Sequence, residues 1–137
     1  MTNTMNLSFT KVKNYLIELN YEVVEENPDE CVLVIDHEET GISHMVLCCA
    51  DPILIIEQYL CDITQISLET YRMLLQKNRD IIHGAFALDE SGKKLIFRDT
   101  LVLETLDLDE LDSTFNSLGL LLSEFTQQII DISTPKS

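Results

Sequence analysis

The chain has 137 residues, 45% of them hydrophobic. That length predicts one domain spanning 1–137, and that apolar content excludes a disordered chain. Twenty-four acidic residues against nine basic give a net charge of −15, which argues against nucleic acid, whose phosphates need Lys and Arg, and against anionic membrane surfaces.

In chain order, a first helix is predicted to start at Ser8 as N-cap, with Leu7 stapled against Val12. Phe9, Val12, Leu16 and Leu19 recur at spacings of 3, 4 and 3, one apolar helical face, and Asn20 ends it. Strands are predicted at YEVVEE (21–26), CVLVID (31–36) and ISHMVLCCA (42–50), separated by NPDE and HEETG turns. CVLVID is nearly continuous in apolar residues, so both its faces are expected to be covered. Asp51-Pro52 interrupts the third strand. ILIIEQYLCDI (53–63) reads as a fourth strand, with a helix starting at Pro52 as the alternative. Ser67 caps a short second helix whose apolar face is Leu68, Tyr71, Leu74 and Leu75, and Asn78 stops it. Two strands follow, at about 81–88 and 94–104, joined by DESGK with Gly92 free to take positive φ. Asp107 with Glu110 marks a capped helix start. Leu111, Phe115, Leu118, Leu122, Phe125 and Ile129 then form a long seam, which Leu108, Leu121 and Ile130 widen enough to cover a sheet or a second chain. Gly119 within it predicts close approach of another backbone. The prediction is an α+β domain, α-β-β-β-(β)-α-β-β-α, with 1–6 and 133–137 as frayed tails.

Charge is unevenly placed along this order. No Lys or Arg lies between Lys13 and Arg72 or between Arg98 and Lys136, so most of the surface is predicted to be acidic and a basic segment is its electrostatic complement. The N-terminal stretch lacks a signal peptide's basic and apolar regions, and no run approaches the length of a membrane span. A cytoplasmic protein with its four cysteines reduced is therefore expected.

Few residues suggest chemistry. His83, Arg98 and Asp99 lie close on the predicted last hairpin, but neighbouring strand residues face opposite ways, so Arg98 and Asp99 cannot share a site. Asp99 falls on the face of Leu95, Phe97, Leu101 and Leu103, where a carboxylate needs donors from backbone N–H groups or from His83. A structural role is expected, with an acid–base pair of His83 and Asp99, or a reactive Cys48, as the weaker alternative. Cys48 and Cys49 point apart and do not bridge. Cys31, His37, His44, Cys48 and Cys61 lack zinc-site spacing. No phosphate loop, nucleophile elbow or calcium loop occurs. No catalytic, cofactor-binding or metal residues are assigned, and no cofactor is expected.

Residues 78–111 resemble the YbjN-like family of bacterial proteins, which has the fold of type III secretion (Tir) chaperones. The similarity is carried by Asn78, HGAFALDE (83–90), FRDTL (97–101) and LDLDE (106–110), more weakly by CADPILIIEQ (49–58), and in the first 48 residues by pattern alone. The resemblance implies a convex antiparallel sheet with helices packed on it, usually dimeric, that binds another protein through apolar surface patches. It carries no catalytic residue.

The expectation is thus a non-enzymatic, chaperone-like homodimer holding a segment of a protein partner, with its acidic field favouring a basic segment. A regulatory or stress-response domain with one specific partner is the alternative, and a small-molecule binder or enzyme using His83 and Asp99 stands behind both.

Overall fold

The structure is a computed structural model and describes residues 4–135. Its elements are α1 (Thr4–Glu18), β1 (Glu22–Asn27), β2 (Val32–His37), a 3-10 turn (Glu38–Thr40), β3 (Ile42–Ala50), β4 (Ile53–Asp62), α2 (Leu68–Lys77), a second 3-10 turn (Asn78–Asp80), β5 (Ala85–Leu88), β6 (Lys94–Val102) and α3 (Leu108–Ser133). The predicted order holds, and 53–62 is a strand rather than the start of a helix. The six strands make one sheet, ordered β1-β2-β3-β4-β6-β5, with every neighbouring pair antiparallel. Short turns join β1 through β4. The α2 segment then carries the chain past the sheet so that β6 pairs with β4 and β5 becomes an edge.

Alternation along each strand sends one set of side chains to the helices. Leu33, Ile35, Met45, Leu47, Leu54, Ile56, Leu95 and Phe97 are fully buried there. They form a single cluster with Phe9, Val12 and Leu16 of α1, Leu74 of α2, and Leu111, Phe115 and Leu118 of α3. Side chains from all three helices thus meet one face of the sheet.

Several local readings need correction. The first helix begins at Thr4, not after Ser8, and Leu7 is exposed, so the Leu7–Val12 staple is not made. Nothing between Thr4 and Leu7 breaks a helix, so it runs a turn further. Its end is as expected: Asn20 takes a left-handed φ of 65°, and the Tyr21 N–H donates back to the Leu16 carbonyl at 3.0 Å. In α2, Ser67 caps the Thr70 N–H at 3.1 Å as predicted. Leu68 and Leu75, however, turn outward, and Thr70 and Leu74 turn in. Residues 81–84 lie outside the sheet, so the strand is only β5. Gly92 has the positive φ expected of it.

Asp107 caps α3, accepting the Glu110 N–H at 2.8 Å. The seam holds through Phe125, where φ −115° and ψ 17° break the helix. The adjacent Thr126 hydroxyl donates to the Leu122 carbonyl, a local bond that bends helices. Beyond the kink Ile132 is buried, while Ile130 faces out. Gly119 is closely approached: a Cβ there would stand 3.4 Å from the Thr40 carbonyl.

Candidate protein-docking surfaces

The residues with chemical potential are dispersed. Asp99 Oδ2 accepts from the Thr114 hydroxyl at 2.7 Å, and Oδ1 accepts from the Thr100 N–H at 2.9 Å. The donors Asp99 needs come from α3 and its own strand, not from His83. His83 is exposed and is held through its backbone, with its N–H and carbonyl both bonded to Ser117 Oγ (3.3 and 2.7 Å). Arg98 lies on the opposite face and pairs with Glu57 at 3.0 Å. Thr114 and Ser117 belong to no motif in the sequence. A hydroxyl inside an apolar helical seam is the one signal that marks them.

All four cysteines are free thiols. Cys49 points into the core, where burial pushes its thiol up to about 12. Burial also raises the Cys48 and Cys61 thiols. At neutral pH the Cys49 thiolate fraction is then on the order of 10⁻⁵, far too small for a nucleophile. Iodoacetamide at neutral pH is expected to leave Cys49 unlabelled in the folded protein and to label it in urea, read by peptide mass spectrometry. Fast labelling without denaturant would mean the β3 core is open. His44 sits against Asp36, and His37 Nδ1 against the Thr40 hydroxyl. Among the described residues no three His, Cys, Asp or Glu side chains gather as metal ligands.

What the structure does present is an uncovered sheet face. CVLVID was expected to be covered on both sides. Leu33 and Ile35 meet the helices, but Val34 points to the side where no helix of the described residues lies. Neighbours in the sheet bury it instead: Val46 pairs with it from β3 and Glu25 from β1. The open rows read Val34–Val46–Glu57–Arg98–Ala85, then Val32–Cys48–Ile55–Thr100, then Ala50–Ile53–Val102. Val46, Tyr59 and Val102 are exposed there, Val102 by 50%. Apart from the Glu57–Arg98 pair the central rows are largely hydrocarbon. The β1 end is acidic, with Glu22, Glu25 and Asp36 in open-face register.

The two sheet edges differ. At β5, the Asn78 side chain receives the Phe86 N–H on Oδ1 at 2.8 Å and donates from Nδ2 to the Phe86 carbonyl at 3.2 Å. One amide thus does what a neighbouring strand would do and closes that edge. Asn78→Ala is expected to cost about 2 kcal/mol in urea unfolding, since two backbone groups lose their partners. An unchanged midpoint would show that water replaces the amide freely. At the other end β1 closes the sheet with Glu22, Glu25 and Glu26 on a bulged strand, with Glu26 bonded to Lys13 at 2.8 Å.

No helix among the described residues is long and apolar enough to cross a membrane. Among solved structures, the fold is similar to a chain of the HopA1–SchA chaperone–effector complex at 15% identity and TM-score 0.68, covering 93% of this chain and 99% of that one. YbjN from E. coli superposes at TM-score 0.69 and 11% identity, over 93% of this chain and 96% of its own. A chain of the heterodimeric ExoU–SpcU complex from the type III secretion system of Pseudomonas aeruginosa matches at TM-score 0.66 and 17% identity, over 91% and 99%. No curated protein matches the chain. The family model CesT_Tir_1 matches residues 5–135, and the chain belongs to that family of type III secretion chaperones.

Proposed function

We propose that this chain is a non-enzymatic, chaperone-like protein that holds a segment of a partner protein against its open sheet face, acting as a homodimer in the cytoplasm. One observation carries the reading: β2, β3 and β4 bear apolar side chains on both faces, and the described residues cover only one. Sheets with two apolar faces are ordinarily covered on both. The acidic β1 end of that face favours a partner segment with basic residues. Structures of the same fold include a chaperone–effector complex and the ExoU–SpcU heterodimer, which is consistent with a protein partner.

The test compares native-lysate pull-downs by the wild type and by Val46→Asp/Val102→Asp, two exposed positions whose change leaves the core intact. Captured polypeptides are expected to fall about tenfold or more in the variant, with circular dichroism unchanged and light scattering of the wild type giving a dimer. Equal capture by both proteins would remove the open face as the binding surface.

A further inference from the structure

Two of the four thiols stand opposite one another in the sheet. The β2–β3 register pairs Leu33 with Leu47 and Val32 with Cys48. One step further toward the β1–β2 turn it sets Cys31 against Cys49, and the Cys49 N–H donates to the Cys31 carbonyl at 2.9 Å. Both residues are buried and both belong to the cluster that packs under the helices. Cys48 lies in an open-face row, so it cannot join them.

Directly opposed residues of a hydrogen-bonded antiparallel pair have Cα atoms about 5.5 Å apart, inside the roughly 4.4–6.8 Å that a disulfide spans. Their Cβ atoms, about 4.5–5.5 Å apart, must close by about 1 Å. Cys31 is placed to supply that movement, because it stands just outside β2. Its N–H turns away from the ladder to the Pro28 carbonyl at 3.3 Å. Its thiol donates only a weak bond, to that same carbonyl at 3.6 Å, which rotation about χ1 gives up.

We infer that Cys31 and Cys49 form a two-thiol oxidation site, which a peroxide converts into a disulfide tying β2 to β3 beneath the helices. The site is independent of the open face and of whatever docks there. Hydrogen peroxide is the two-electron oxidant. The Cys31 sulfur attacks one peroxide oxygen, the O–O bond breaks, and the departing hydroxide takes the thiol proton as water. Cys31 is then a sulfenic acid. The Cys49 sulfur attacks the Cys31 sulfur, the S–O bond breaks, and the second hydroxide leaves as water with the Cys49 proton. Two thiols and one peroxide thus give one disulfide and two waters. Cys31 reacts first because it sits at the turn. Cys49 lies deeper, and burial, then the neighbouring Cys31, pushes its thiol up to about 12. Its facing position offsets that handicap, since a held sulfur acts at far higher effective concentration than a dissolved thiol. Where thiols are otherwise kept reduced, such a bond is transient and redox-sensing.

The test uses the full chain carrying Cys48→Ser/Cys61→Ser, which keeps only this pair. Brief exposure to a slight excess of hydrogen peroxide is expected to remove two hydrogens and to link the fragments on either side of Glu38 and Glu39 after non-reducing glutamyl-endopeptidase digestion. The urea midpoint should rise by about 1 M or more, because the link closes a loop in the unfolded chain. Dithiothreitol should reverse both changes, and the wild type should give the same linked fragments. Adding Cys31→Ser should abolish both, with circular dichroism checking the fold; the linked fragments of the pair-only protein stand without that variant. The proposal is overturned if both thiols survive in the folded protein, if oxidation stops at sulfinic acid, or if the link joins two chains. A wild-type link through Cys48 or Cys61 overturns it as well.

Discussion

Gly84→Ala is expected to lower the unfolding free energy by about 2–4 kcal/mol, one of the largest effects of any single methyl group in this chain. Two causes act together. Gly84 has φ +81°, a conformation an L side chain adopts only with strain. A Cβ there would lie 2.4 Å from Phe97 Cζ and 3.1 Å from the Arg98 carbonyl oxygen. The Phe97 ring is fully buried in the sheet–helix cluster and has nowhere to retreat. Gly92→Ala supplies the control: its φ is +72°, but no atom lies within 4 Å of the added methyl, so only about 1 kcal/mol should be lost. Urea unfolding of the two variants separates backbone strain from collision. A second comparison sharpens it, since Phe97→Leu should recover part of the Gly84→Ala loss as two changes in contact couple. Equal losses at Gly84 and Gly92 would mean that the ring gives way and the tight approach is not real.

Collisions of this kind are invisible in the sequence, whereas much of the framework around them is legible there. Alternation locates β1, a nearly continuous apolar run locates β2, and period 3.6 locates the α3 seam, because each burial face writes itself into the sequence. Caps at Ser67 and Asp107 are readable because a side-chain oxygen must meet a helix N–H a few residues on. The start of α1 is not, since Ser8 has the chemistry of a cap but nothing upstream forbids a further turn. The outward turn of Leu68 and Leu75 is hidden for a related reason. Four apolar residues on a ten-residue helix span more than one face, and only the position of β5 decides which face packs. The docking surfaces are half visible: apolar residues on both faces of β2 and β3 signal two covers. Nothing in that pattern says that the described chain supplies only one. Thr114 and Ser117 show in the sequence only as hydroxyls within the α3 seam, because their partners, Asp99 and the His83 backbone, are brought to α3 only by the fold.

Phe115→Ala is expected to cost about 3–5 kcal/mol, the loss of a fully buried ring together with the cavity it leaves. Its partners explain why the upper half of that range applies. The Phe115 ring meets Tyr21 edge-to-face at 4.6 Å, and Tyr21 meets His37 at 4.9 Å. This aromatic chain ties α3 to the end of α1 and to β2, and such pairs add about 0.5–1.5 kcal/mol beyond buried area. Against a total stability of about 5–15 kcal/mol, the variant should unfold at a much lower urea concentration. Phe115→Leu, which keeps most of the volume, should lose less than half as much. The open face predicts the reverse pattern, because Val46 and Val102 project away from the helices: changing them should move the urea midpoint little while partner capture collapses. That separation follows from a sheet with helices on one side and docking on the other. If Phe115→Ala left the midpoint unmoved, α3 would not be clamping the inner face, and nothing would hold the opposite face open for a partner.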